Sequence, residues 1–95
     1  MRNYELVFIV QPDVDEEGLA AVVDRVGQLI SGNGGQVTQV DSWGKRRLAY
    51  PIRKYKEGYY VVMQVQLEPE ATKELERNLG LTEGIIRHLL VRVGE

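Results

Sequence analysis

Cysteine is absent from this 95-residue chain, and histidine occurs once, at position 88. The first absence removes disulfides, thiol nucleophiles and every cysteine-based zinc or iron–sulfur site, and it fits a reducing compartment. The second leaves His88 without the companions that a metal site needs, so it reads as a structural residue. No apolar run approaches the roughly 20 residues of a membrane span. The opening MRNYEL has a strand-like pattern in place of a signal peptide, and a soluble, cytoplasmic protein is expected. Neither a Ser–His–Asp arrangement nor a pair of facing carboxylates is suggested. The glycine-rich Gly32-Asn33-Gly34-Gly35 follows a helical stretch and opens a strand, the reverse of a phosphate cradle, and reads as a helix C-cap. Nothing points to an enzyme, a cofactor or a metal.

What is present is globular in character. A hydrophobic content of 43% and a charged content of 27% are ordinary for a folded chain. Ninety-five residues can bury one core without staples, so a single domain over residues 1–95 is expected. From Tyr4 to Val10 the sequence places Tyr4, Leu6, Phe8 and Val10 on one face and Glu5, Val7 and Ile9 on the other. A strand apolar on nearly both sides belongs in the middle of a sheet. Gln11-Pro12 ends it, and Asp13 with Glu16 resembles a capping box for a helix from about 14 to 31. Leu19, Val22, Val23, Val26 and Ile30 supply its apolar stripe.

A second strand is expected from about Gln36 to Tyr50, with a bulge where alternation slips between Val37 and Val40. Pro51 to Gly58 reads as a loop, and Gly58 opens a third strand. This strand has Tyr59, Val61, Met63, Val65 and Leu67 on one face and Tyr60, Val62, Gln64 and Gln66 on the other. Pro69 suits a first helical position, and Ala71, Leu75 and Leu79 predict a second helix to about residue 80. Ile85 to Val93 is the last strand, too apolar for periodicity to say whether Arg87 or His88 faces inward. The order is the split βαββαβ, an α+β ferredoxin-like fold. Its right-handed crossovers place both helices on one side of a four-stranded antiparallel sheet. The other side meets water or a partner.

Charge is distributed unevenly. Lys45, Arg46, Arg47, Arg53, Lys54 and Lys56 are half of the twelve Lys and Arg residues, and Glu57 is the only acid between residues 43 and 60. That segment carries about +5, which leaves about −7 for the rest of a chain whose net charge is −2. A strand running from 37 to 50 would span about 45 Å, so its far end is expected to project as a basic arm on a long hairpin. Trp43, Tyr50, Tyr55, Tyr59 and Tyr60 interleave with the cations. Mobile cations neutralise phosphates and aromatic faces stack on unpaired bases, so the combination suits RNA. The plainer reading is a solvated hairpin whose lysines deter edge-to-edge pairing. Alternation sends Arg46 and Arg47 to opposite faces. The strand KEGYYVVMQV has a faint likeness to the third strand of an RNA-recognition motif, but Tyr60 occupies the place of a small residue and Tyr59 shares parity with core-facing valines.

The run Gly44-Lys45-Arg46-Arg47-Leu48-Ala49-Tyr50-Pro51-Ile52-Arg53 resembles the signature of the bacterial small-subunit ribosomal protein six family. Similarity extends through MRNYEL, GYYVVMQVQL and IIRHLLVR, and so over essentially the whole chain. The resemblance implies a structural component of the small subunit's central domain, or platform, with no enzymatic activity. It would bind small-subunit ribosomal RNA as a heterodimer with ribosomal protein eighteen, a small basic partner. Carried over position by position, it makes Arg2, Lys45, Arg46, Arg47, Arg53, Lys54, Lys56, Arg87 and Arg92 the RNA-contact candidates. Leu48, Tyr50 and Ile52 would hold the base of the arm against the sheet. Trp43, Tyr60 and Val62 are candidates for the protein partner.

Two readings from other classes stand beside this one. A ferredoxin-like ligand-sensing or regulatory module would dimerise through its open sheet face. An acylphosphatase-like enzyme would need a Gly-rich, basic loop after the first strand, where this chain has Gln11-Pro12-Asp13.

Overall fold

The computed structural model describes residues 1–94. Strand β1 (Arg2–Val10) leads to helix α1 (Glu16–Gly32), strands β2 (Gln36–Ile52) and β3 (Tyr55–Leu67), and a 3₁₀ turn at Pro69–Ala71. Helix α2 (Thr72–Gly80) and strand β4 (Ile85–Arg92) complete the βαββαβ order. The four strands form one sheet in the order β2-β3-β1-β4, with β1 antiparallel to both β3 and β4. The first strand is therefore central, as its two apolar faces require.

One face of the sheet is covered by both helices. Leu6, Phe8 and Val10 of β1, Val61, Met63, Val65 and Leu67 of β3, Val26 and Ile30 of α1 and Leu75 and Leu79 of α2 are essentially fully buried in a single cluster. Fully burying each of the larger side chains stabilises the fold by about 1.5–3 kcal/mol. The N-cap differs from the expected one. Asp15, rather than Asp13, caps α1, its carboxylate accepting from the Gly18 N–H at 2.7 Å, and Glu16 and Glu17 sit in the first turn against the helix dipole. The glycine stretch at the other end is the expected C-cap. Asn33 occupies the cap, Gly34 takes φ +81, and Gly35 donates to the Ile30 carbonyl.

In β4 the ambiguity of faces is settled by a bulge. Register shifts where Ile9 gives way to Val10, so that Val10 pairs with Ile85 and Ile9 with Arg87. Ile86 is the extra residue, and it turns to the same side as Ile9. Beyond it Arg87, Leu89 and Val91 share the helix-free face with Ile9, Val7 and Glu5, their register partners, while His88 and Leu90 face the helices. His88 lies 3.9 Å from the Glu76 carboxylate on α2, and Leu90 packs on the main core.

The hairpin departs most from expectation. No loop separates β2 from β3, because Ile52 pairs with Tyr55 across a two-residue turn at Arg53-Lys54, and β3 begins three residues before Gly58. Nor does the arm project. Seventeen residues at about 3.3 Å each would reach about 56 Å, yet the longest dimension of the molecule is 35 Å. The strand bends at three irregularities: the expected one between Val37 and Gln39, one between Ser42 and Gly44 where Gly44 takes φ +83, and a wide one between Arg47 and Ile52. The last puts several extra residues into β2 and turns Leu48 inward. Leu48, Ile9 and Ile86 form a second buried cluster, flanked by Ile52, Tyr55 and Tyr60, on the face without helices. The arm therefore curls back over the sheet, and its own apolar residues cover part of the side expected to be bare.

This contact leaves no room at Gly58. A Cβ there would lie 2.3 Å from Ile9 Cγ2. Gly58→Ala should therefore destabilise the fold by about 1–3 kcal/mol, read as a lowered midpoint in urea unfolding at unchanged slope.

Candidate nucleic-acid interface

The six hairpin cations are all exposed. Among the described residues none of them makes an ion pair, since the salt bridges present join Met1 to Glu68, Arg77 to Glu74 and His88 to Glu76. Their charge is thus available to a polyanion. Register assigns them to faces as alternation predicts. Arg46 lies opposite Gly58 on the helix-free side, and Arg47 lies opposite Glu57 on the helix side.

Aromatic rings position several of these cations. The Arg46 guanidinium sits 5.8 Å from the Trp43 ring centroid, and its Nε donates to the Trp43 carbonyl at 3.2 Å. Trp43 in turn stacks on Tyr60, with centroids 6.2 Å apart and planes 11° from parallel. The indole N–H donates to the Asp41 carboxylate at 3.2 Å. Trp43 is the extra residue of the second bulge, which is why it can lie over Tyr60 while remaining about half exposed. Lys45 stands 5.4 Å over the Tyr59 ring. Such contacts hold a cation in place without neutralising it, and each is worth about 0.5–1 kcal/mol at an exposed site. Val62 is buried on the same face as Tyr60, so the three partner candidates come together on one side of the sheet.

Arg87 reaches the hairpin from the far side of the sheet. It donates to the Tyr50 hydroxyl and lies 5.8 Å from the Tyr50 ring centroid, joining β4 to the curled end of β2 across the intervening strands. Beneath this clasp Val7, Ile9, Leu48, Ile52, Tyr60 and Leu89 line a small apolar cavity of about 190 Å³. Sequence reasoning placed Arg87 among the RNA-contact candidates but missed the clasp, because neither residue's parity reveals a contact made by strand curvature.

On the tip's other side Arg47, Lys54 and Lys56 line a shallow concavity with Pro12, Tyr55 and Glu57. Tyr55 is steadied by its hydroxyl, 3.4 Å from the Gln11 side-chain carbonyl. Arg2 and Arg92 lie elsewhere. Arg2 pairs with Leu67 and Arg92 with Tyr4, at the end of the sheet remote from the hairpin tip. The nine candidates therefore form a main group on the hairpin with Arg87, and a separate pair at the opposite end.

The family model described as Ribosomal protein S6 matches residues 3–92. The chain belongs to the ribosomal protein S6 family. Small ribosomal subunit protein bS6 of Moorella thermoacetica is 50% identical over 95 residues, covering 100% of this chain and 97% of the relative. The protein of the same name from Desulforamulus reducens is 46% identical over the full length of both. Among solved structures, 30S ribosomal protein S6 from Thermotoga maritima superposes with a TM-score of 0.91 at 35% identity, covering 97% of this chain and 87% of that one. The C-terminal domain of the MgtC protein from Mycobacterium tuberculosis, at 13% identity and a TM-score of 0.64, covers 98% of this chain and 88% of that one and shares the fold alone.

Membership of the S6 family makes this a small-subunit ribosomal protein, cytoplasmic as part of the ribosome, and not an enzyme. RNA binding and a place in translation follow from the same membership. The comparisons give no support to the ligand-sensing alternative.

Removing the clasp should free the curled end of the hairpin. Arg87→Ala is expected to cost about 1 kcal/mol in global stability. Amide exchange at residues 48–52 should accelerate more than at 61–65, as a mass-spectrometric exchange experiment would show.

Proposed function

We propose that this S6-family protein binds small-subunit ribosomal RNA through its β2-β3 hairpin and does so as a heterodimer with ribosomal protein eighteen. The observation that carries the RNA half of this reading is the concentration of six unpaired, exposed cations on one curled hairpin of an otherwise acidic chain. Unpaired cations gain most from releasing the counterions condensed on RNA. Arg46 and Arg47 contribute planar guanidinium groups that hold a phosphate through two N–H donors, which a lysine cannot do. Arg87 adds a further cation on the same flank of the molecule, and Arg2 and Arg92 serve a second contact at the other end.

The helix-free face supports the protein half. Trp43 is about half exposed and lies against Tyr60, while Leu89 and Val91 expose apolar surface further across the same face. An aromatic flanked by aliphatic surface and rimmed by Gln64, Glu5 and Asp41 has the anatomy of a protein interface, with an apolar centre and a polar rim. Glu5 and Asp41, opposite Gln64 and Val62 on this same face, give it carboxylates for a basic partner.

Arg46→Ala/Arg47→Ala should lower stability by no more than about 1 kcal/mol, yet weaken binding to a central-domain RNA fragment in the presence of ribosomal protein eighteen. The dependence of log K on log salt should flatten by about 0.7–0.9 per lost phosphate contact. Equal affinity and slope in a filter-binding salt titration would refute the hairpin reading. Trp43→Ala should weaken association with ribosomal protein eighteen by about 2 kcal/mol, roughly thirtyfold, measured by calorimetry without RNA; an unchanged enthalpy and affinity would move the partner to another face.

A further inference from the structure

The hairpin tip is built against backbone preference. A two-residue turn with φ positive at both central positions is the type favoured between antiparallel strands, and Asn-Gly or Asp-Gly fills it with least strain. Here Arg53 takes φ +50 and Lys54 φ +75, the two non-glycine residues with positive φ among those described. Side chains with a Cβ meet steric resistance in that region, and strained residues persist where the surroundings hold them and function uses them.

The turn sets Lys54 beside Arg47 and Lys56 on an open concavity of about 480 Å³, lined also by Pro12, Tyr55 and Glu57. None of the three cations is paired, and with the one carboxylate the local charge is about +2. This chemistry suits an anion with several oxygens. Arg47 offers a planar fork, Lys54 and Lys56 offer compact point charges, and charge-assisted bonds to a phosphate are stronger than neutral ones.

We propose that this concavity seats one phosphate of the RNA backbone, and that the left-handed turn retains Arg53 and Lys54 in place of Asn-Gly because only a cation at position 54 completes the seat. The inference rests on the RNA-binding reading of the hairpin and goes further, assigning one anion to three residues. Arg46 faces away from Arg47 and does not line the concavity, so it belongs to a different contact.

The test is a salt titration of binding to a central-domain RNA fragment in the presence of ribosomal protein eighteen, with thermal unfolding measured on the same variants alone. Lys54→Asn keeps a side chain that tolerates positive φ and removes the charge. It should lower affinity about tenfold at low salt and flatten the log–log slope by about 0.7–0.9. Arg47→Ala should act similarly, and the two together should lose less than the sum of their separate effects, since both hold the same phosphate. Arg53→Asn/Lys54→Gly should raise the unfolding temperature by several degrees while weakening RNA binding. If Lys54→Asn binds like the parent while Arg46→Ala is weakened, the seat is wrong and the hairpin reading stands. Additive losses for Lys54 and Arg47 would assign them to separate phosphates and overturn the shared seat. No rise in unfolding temperature for the Asn-Gly turn would overturn the trade between turn strain and binding. With ribosomal protein eighteen present, failure of the parent to bind the RNA even at 50 mM salt would remove both readings.

Discussion

The molecule depends on the burial of β1 from both sides. Leu6, Phe8 and Val10 need a core on one face of the sheet, and the two helices provide it. Val7 and Ile9 need cover on the other, where the fold places no helix. A strand this apolar could not remain half exposed without creating an adhesive patch. The solution is for β2 to overrun the sheet, accept a wide bulge after Arg47 and lay Leu48 over Ile9 and Ile86. The bend that places the cations is therefore the same bend that closes the second core. Gly58 is the point where this closure leaves space for a hydrogen atom and nothing larger.

Charge follows from the same geometry. A curled hairpin exposes its outer side and its tip, and cations placed there are held apart from the acids on the helices. The rings of Trp43, Tyr59 and Tyr50 support Arg46, Lys45 and Arg87 without discharging them. Ion pairs would have fixed these side chains equally well but would have cancelled the field that a phosphate backbone responds to. Aromatic support keeps both position and charge. The family relationship supplies the setting in which such a surface has a use, the small ribosomal subunit.

Much of this was legible in the residues. The element order, the central place of YELVFIV, the parity of β3 and the bulge near Val37 are all written in alternation and turn chemistry, which are local properties. The same is true of the opposite faces of Arg46 and Arg47. Where reading failed, the cause was not local. The expectation of a projecting arm assumed an unbent strand, whereas Leu48 is drawn inward by Ile9 and Ile86, residues some 40 positions away on each side. Pro51 to Gly58 reads as a loop because Pro and charge mark turns, yet pairing with β2 carries strand geometry through to Tyr55. Arg87 and Tyr50, brought together by that curvature, carry no sequence signal of contact. Asp13 and Asp15 both offer a carboxylate near a helix start, and the sequence does not say which has the extended backbone directly before the first helical residue; Asp15 does.

The pairing of β4 with β1 has a consequence for how the chain avoids harm before it is finished. Tyr4 meets its partner Arg92 only when nearly the whole sequence is available. Until then the far edge of β1 presents LVFIV, a run of high strand propensity with no charge and no proline, the composition of a self-associating cross-β segment. The completed sheet replaces this edge with β4, whose outer rim carries Arg87, His88 and Arg92. Charged edge residues discourage a neighbouring molecule from adding a strand. The last strand thus acts as a guard for the first, and a chain truncated before residue 85 would expose an aggregation-prone edge.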